Sequence, residues 1–294
     1  MPVRSSANAA TNAFFGEEYW ETVDADLNPS CRNFGAERSL RAVAMVVFAT
    51  LVAAAFHLGM LSPAATRTDL MRRVPRVVLW AWERREDLSF IDPRQIAVAY
   101  LDRTLELSAD TVVVRPRLEP LTVPAQTVLI PLARVEIDWR SPPSLSVAQR
   151  SELSRVIAAM AAASPPAIQI DFDATRSQRA FYRDLLADVR GRLPASTALS
   201  ITALASWCMD DDWVGGLPVD EIVPMLYRMG PDAQEIISYL RGGGDFAPPL
   251  ARISVGLSAD DRLAGLAGGK RVYLFSPRGW TREQVHEAIA EATR

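Results

Sequence analysis

The sequence predicts an α/β chain folded as a (β/α)8 barrel of the TIM type, irregular in its first half and preceded by one N-terminal hydrophobic helix. Three observations carry that expectation. Eight short β-prone runs recur from residue 76 onward, the later ones alternating with amphipathic helical stretches, which is the pattern of a parallel sheet wound with helices. The roughly 230 residues after residue 65 fall within the about 200 to 400 that such a barrel uses. One run, residues 167–173 (AIQIDFD), sets Gln169, Asp171 and Asp173 on one side of a strand and Ile168, Ile170 and Phe172 on the other. A strand of that kind needs helices over its apolar side and a polar cavity before its carboxylates, because an unpaired buried charge is costly. The mouth of a barrel supplies both; an open α/β sheet is the runner-up.

The strands are expected at 76–83, 96–101, 132–138, 167–173, 199–207, 221–227, 252–257 and 271–276. Between the second and third, residues 104–130 combine β-branched runs with Pro116, Pro120 and Pro124, which predicts an extra hairpin in place of a crossover helix. Pro224 lies inside the sixth strand, where it deletes a ladder hydrogen bond. Helices are expected at 147–163, 176–192, 232–240, 260–266 and 282–292. Three of them open on the same reciprocal cap, Ser146 with Gln149, Thr175 with Gln178, and Thr281 with Gln284. The sets Leu153, Val156, Ile157, Met160 and Phe181, Leu185, Leu186, Val189 each share one helical face, so those faces are expected on the sheet.

Ahead of the barrel domain, taken as residues 74–294, residues 1–38 read as a poorly ordered tail. Residues 42–61 (AVAMVVFATLVAAAFHLGML) hold no formal charge. At about 1.5 Å per residue such a helix covers the about 30 Å hydrocarbon core of a bilayer, so the segment reads as a transmembrane helix or signal anchor. Ser62, Pro63 and Ala64 form a small-residue cleavage site for the alternative in which it is removed. Either version places the barrel outside the bacterial inner membrane, in the periplasm or exported.

The chain has 294 residues, 49% hydrophobic, with a formal charge of -3, which excludes a disordered or nucleic-acid-binding bias. Only Cys31 and Cys208, and only His57 and His286, are present. That excludes a disulfide framework, a Ser-His-Asp triad and a thiolate or histidine metal site, so neither metal nor cofactor is expected. Residues 265–271 (GLAGGKR) precede a strand and lack the hydroxyl of a phosphate loop, which removes a nucleotide partner.

Barrel chemistry sits at the C-terminal ends of the strands. Those ends collect Glu83, Asp138 with Trp139, Asp171 and Asp173, Trp207 with Asp210, Asp211, Asp212 and Trp213, Tyr227 with Arg228, and Ser276, Arg278 and Trp280. Carboxylates mixed with indoles suit a carbohydrate, whose C–H faces stack on rings while its hydroxyls bond carboxylates. Trp207 and Trp280 are the expected platforms, and Trp80 and Trp82 are expected in the core. The competing reading of Asp171 and Asp173 is a charged plug in which inward Arg134 pairs with them.

Two of these strands resemble a known group. IQIDFDAT is similar to the Asp-x-Asp-x-Glu strand of family-18-type glycoside hydrolases, and DEIVPMLYR to their Asp-x-x-x-x-Met-x-Tyr-Asp strand. Taken over residues 74–280, the aromatic and Asp-x-Asp blocks most resemble the bacterial domain-of-unknown-function family 3142. The resemblance implies a barrel, supporting aspartates at Asp171 and Asp173, and a floor lined by Met225 and Tyr227. Two departures stand out. Thr175 occupies the place of the acid glutamate, and a hydroxyl cannot act as general acid; Arg228 replaces the aspartate after the tyrosine. Catalysis would therefore fall to Asp173, with Asp138, Glu136 or residues 210–212 supplying the second carboxylate. The expectation is a barrel acting on a polysaccharide or oligosaccharide as a glycoside-hydrolase-like enzyme, the alternative being a non-catalytic carbohydrate-binding or envelope-assembly protein. Asp173, Asp171 and Asp138 are the catalytic candidates; Trp207, Tyr227, Met225, Trp280, Glu83 and Arg228 are the substrate-binding ones.

Overall fold

Strands that carry large apolar groups on both faces must be covered on both, and the chain meets that demand by closing its sheet on itself. The computed structural model describes residues 70–209, 212–260 and 265–292. The expected tail and the apolar segment 42–61 lie outside the described residues, as do Asp210, Asp211 and most of the helix expected at 260–266. Among the described residues no helix is long and apolar enough to cross a membrane.

Eight parallel strands form the barrel, in the order β1 (Val77–Ala81), β3 (Ile96–Ser108), β6 (Leu129–Ile137), β7 (Ala167–Asp171), β8 (Ala198–Leu204), β9 (Glu221–Met225), β10 (Ser254–Ser258) and β11 (Arg271–Phe275). Closure comes from β1, which pairs with both β3 and β11. These are the eight strands the sequence predicts. The irregular first half is also present: β3 runs on past the barrel into an antiparallel hairpin with β4 (Thr111–Pro116), and β2 (Glu86–Asp87) pairs with β5 (Leu121–Thr122) as a small parallel sheet of their own. Pro224 is accommodated on β9 because its seam with β10 is sparse, the paired register there being Gly256 with Met225.

Helices α1 (Val147–Ala159), α2 (Arg179–Arg192), α3 (Ala233–Arg241) and α4 (Arg282–Ala292) cover the outside. The expected helix faces are buried: Leu153, Val156, Ile157 and Met160 pack with Phe181, Leu185, Leu186 and Val189 against Ile168, Ile170 and Phe172 of the β7 segment. All three reciprocal caps form. Gln149 N–H donates to Ser146 Oγ at 3.2 Å while Ser146 N–H donates to Gln149 Oε1 at 3.2 Å. Thr175 N–H reaches Gln178 Oε1 at 2.8 Å, and Thr281 exchanges the same pair of bonds with Gln284.

Inside the barrel a second apolar cluster, with Val78, Trp80, Ala97, Ala99, Leu101, Ile130, Leu132, Val223 and Tyr273, fills the lumen, and Met71 and Val74 pack against it. On the other side of the sheet, Asp220 accepts from Arg190 Nη1 at 3.0 Å and from Leu199 N–H at 2.7 Å, tying α2 to the edge of β8.

Candidate functional site

The side chains that face inward build the site in rows, because alternate residues of each strand point into the barrel. The lowest polar row centres on Glu221 at the start of β9, whose side chain is fully buried. Its carboxylate accepts from Arg271 Nη1 at 2.6 Å, Tyr273 Oη at 2.7 Å and Ser200 Oγ at 2.8 Å, and also from Ser254 Oγ. Ser200 Oγ accepts in turn from Gln169 Nε2 at 3.0 Å, and Gln169 Oε1 accepts from the Trp80 indole at 2.8 Å. Gly256 makes room for that indole: a Cβ there would lie 2.9 Å from Trp80 Cη2. A connected row of this kind leaves no buried charge unmatched and holds Trp80 in place beneath the mouth.

Above it opens a well of about 300 Å³ lined by Trp80, Trp82, Glu83, Arg134, Glu136, Asp171, Asp173, Thr202, Leu204, Met225, Tyr227, Arg228 and Phe275. Arg134 stands opposite Asp171 in the β6–β7 register. It donates to Asp171 Oδ2 at 2.8 Å and to Glu136 Oε1 at 2.8 Å, and its guanidinium lies 5.4 Å from the Trp82 ring. The other Asp171 oxygen accepts from Thr202 Oγ1 at 2.6 Å. Glu136 has a second cationic partner in Arg115, at 3.1 Å. One wall is aromatic: Tyr227 stacks on Phe275 at 5.4 Å with an interplanar angle of 12°, and Trp80 meets Tyr227 edge-on at 6.2 Å. Burial, and then the charges of Asp171 and Asp173, push the Tyr227 phenol well above its ordinary value, so it stays a hydrogen-bond donor.

Asp173 differs from its neighbour. Its side chain is open to the solvent in the well and has no hydrogen bond among the described residues, while the surrounding wall limits its hydration. Desolvation, reinforced by the Asp171 charge and opposed by Arg134, pushes its carboxyl up to about 6. A second cavity of about 310 Å³ shares Arg134, Glu136 and Asp173 with the well and runs outward to Trp139, which is 70% exposed. Asp173 therefore sits where two hollows meet.

Of the residues singled out from the sequence, Asp171, Asp173, Glu83, Met225, Tyr227 and Arg228 come together around the well. Asp138, the third catalytic candidate, lies outside its lining; its carboxylate accepts from Ser108 Oγ and Arg140 N–H, each at 2.9 Å, as the cap of a turn. Trp207 and Trp280, expected as platforms, are core side chains at 4% and 7% exposure. Trp207 packs edge-on against Trp213 at 4.9 Å, and the Trp280 indole donates to Trp80 O at 3.0 Å. The aromatic surface is supplied instead by Trp82 and Phe275, over a floor formed by the buried Trp80, with Thr202 as an added polar group. Period-two counting along β1, β8 and β11 is the signal that would have found them, since each lies on an inward position. Thr175 is exposed and engaged in the cap before α2, so the motif's acid position contributes no acid here.

No family model and no curated protein matches the chain. Among solved structures, the spore cortex-lytic enzyme SleL of Bacillus cereus is similar at 18% identity with a TM-score of 0.41, over 63% of this chain and 52% of that one. The chitinase domain of the spore coat protein CotE from Clostridium difficile is similar at 13% identity and a TM-score of 0.38, over 62% of this chain and 64% of that one. The chain thus spans about half of the first and less than two thirds of the second.

Proposed function

We propose that this barrel acts on a polysaccharide as a glycoside hydrolase in which Asp173 protonates the glycosidic oxygen. The observation that carries the reading is Asp173 itself: a carboxyl without a hydrogen bond, raised to about 6, at the junction of two hollows flanked by aromatic rings. Tuning of this kind is how a carboxylic acid is kept available as a proton donor near neutrality. In the proposed reaction the Asp173 proton passes to the bridging oxygen as the C–O bond breaks. Water attacks the freed carbon and gives its proton to Glu136, the one other carboxylate common to both hollows. Arg134 and Arg115 hold Glu136, and Trp82, Phe275 and Trp139 offer faces for sugars on either side. The resemblance to family-18-type hydrolases and to domain family 3142 belongs to this reading, as does an anchor in residues 42–61 that holds the barrel in the periplasm.

A second reading has its own support. Asp171 is consumed by Arg134 and Thr202, and Thr175 by a helix cap, which fits a barrel that binds glycan without cleaving it. Release of reducing ends from bacterial cell-wall and β-linked glycans by the purified full chain separates the two. Cleavage that Asp173→Asn abolishes while glycan binding persists is the expected result; undiminished turnover would remove Asp173 from the mechanism, and no product with any glycan that binds favours the second reading. A C-terminal reporter that fluoresces only in the cytoplasm would overturn the placement.

A further inference from the structure

Two arginines line the well, and their situations are opposite. Arg134 is matched by Asp171 and Glu136, at 2.8 Å each. Arg228 is exposed and, among the described residues, makes no ion pair and no hydrogen bond. Its guanidinium carbon lies 5.9 Å from the Phe275 ring, and its charge acts on the neighbouring Tyr227 phenol. That ring is itself stacked on Tyr227, so the cation rests on a fixed aromatic surface at the cavity edge.

The backbone gives an independent sign. Arg228 adopts φ 52°, in the left-handed region that a long side chain occupies at a cost. The other non-glycine residues with positive φ among the described residues are Ala109, Gln126, Leu145 and Ser164, and none of them lines the well. Strain kept at a cavity edge, where glycine or asparagine would be cheaper, points to a use for the side chain it carries. The well holds four carboxylates, Glu83 after β1, Glu136 on β6, and Asp171 and Asp173 on the β7 segment; Asp171 and Glu136 pair with Arg134, and Arg228, which follows β9, has no carboxylate partner among the described residues.

We propose that Arg228 selects a carboxylate-bearing sugar, so that the glycan taken into the well is an acidic one containing uronic-type residues. A guanidinium presents a planar pair of N–H donors that fits a carboxylate in bidentate fashion, and a neutral sugar makes no comparable use of it. The inference rests on the glycan reading above and adds the substrate's charge to it.

The test is a binding titration of the purified full chain, followed by tryptophan fluorescence since Trp80 and Trp82 line the well. The probes are galacturonate and hyaluronate hexamers as acidic glycans, and chitin and cellulose hexamers as neutral ones. Wild type should prefer an acidic hexamer, and Arg228→Gln should weaken it about tenfold, as expected for loss of a charge-assisted hydrogen bond. Arg228→Lys should keep part of the affinity. Arg228→Gly relieves the left-handed strain while removing the cation, so it should weaken acidic binding with no fall in thermal midpoint, a combination that a merely structural arginine does not produce. Acidic binding unchanged in Arg228→Gln, or binding of neutral hexamers alone, overturns the selection by Arg228 and leaves the glycan reading standing. Failure of every hexamer, acidic and neutral, overturns the glycan reading itself.

Discussion

Asp173→Asn should make the protein more stable at neutral pH while removing the proposed hydrolytic activity. In the folded chain the Asp173 carboxyl is raised from 3.8 to about 6, so the native state binds its proton more tightly than the unfolded chain does. Where the folded state holds more protons, stability falls as pH rises. The contribution is fully present below about pH 3.8 and is lost as pH climbs through about 6. A shift of that size corresponds to at most about 3 kcal/mol at neutral pH. The side chain is open to solvent in the well, which screens the interaction and reduces the expected penalty to about 1 kcal/mol. Asparagine has nearly the same shape and no charge, so it escapes that penalty. Thermal unfolding followed by circular dichroism should show the variant melting about 2 to 4 °C above wild type at pH 7.5. At pH 3.5, where the wild-type carboxyl is also neutral, the two curves should coincide. A variant no more stable than wild type at pH 7.5, or one with an equal gain at both pH values, would refute the claim that Asp173 is held against its charge.

Glu221→Ala should be far more damaging although the residue lies outside the lining of the well. It removes the carboxylate that Arg271, Tyr273, Ser200 and Ser254 share and leaves the Arg271 cation without its counter-charge inside the barrel, at a cost of about 3 to 5 kcal/mol, and a calorimetric loss below about 1 kcal/mol would show that the row is not held as described. Gly256→Ala places a methyl 2.9 Å from Trp80 Cη2 and should cost about 1 to 3 kcal/mol by overpacking. The displaced indole should change its fluorescence, and an unaltered emission spectrum with unaltered stability would count against the close approach.

Much of the fold was legible because it rests on local rules. Alternation along residues 167–173 placed Gln169, Asp171 and Asp173 inward and Ile168, Ile170 and Phe172 under the helices, and the structure has them so. The Ser146, Thr175 and Thr281 caps were readable from spacings of three residues. The tryptophans were not readable in this way. Trp207 and Trp280 stand near strand ends beside polar residues, which suggests a platform, yet the turn after β8 and the loop after β11 fold them back into the core. Trp80 and Trp82 lie in an apolar run, which suggests burial; Trp80 is buried in the lumen core as expected, at 3% exposure, while Trp82, one step higher on the same face, is partly open to the well. The difference lies in the height of each residue along the barrel axis, which strand tilt and stagger set and which no local pattern records.

The sequence by itself determined the eight barrel strands, the inward and outward faces of residues 167–173, the three capped helix starts and the absence of a motif acid at Thr175, since periods of 2 and 3.6 and capping spacings involve near neighbours. The sequence offered the pairing of inward Arg134 with Asp171 as one of two readings, and the tertiary structure decided it, across 37 residues; the pairing of Arg271 with Glu221, across 50, came from the tertiary structure alone. Those pairings depend on inter-strand register and barrel closure, and so does the result that Arg134 is matched, Arg228 is left over and Asp173 is raised. A carboxyl's charge in this barrel is set by the neighbours that closure brings to it through space, and the chain written as a line does not contain their distances.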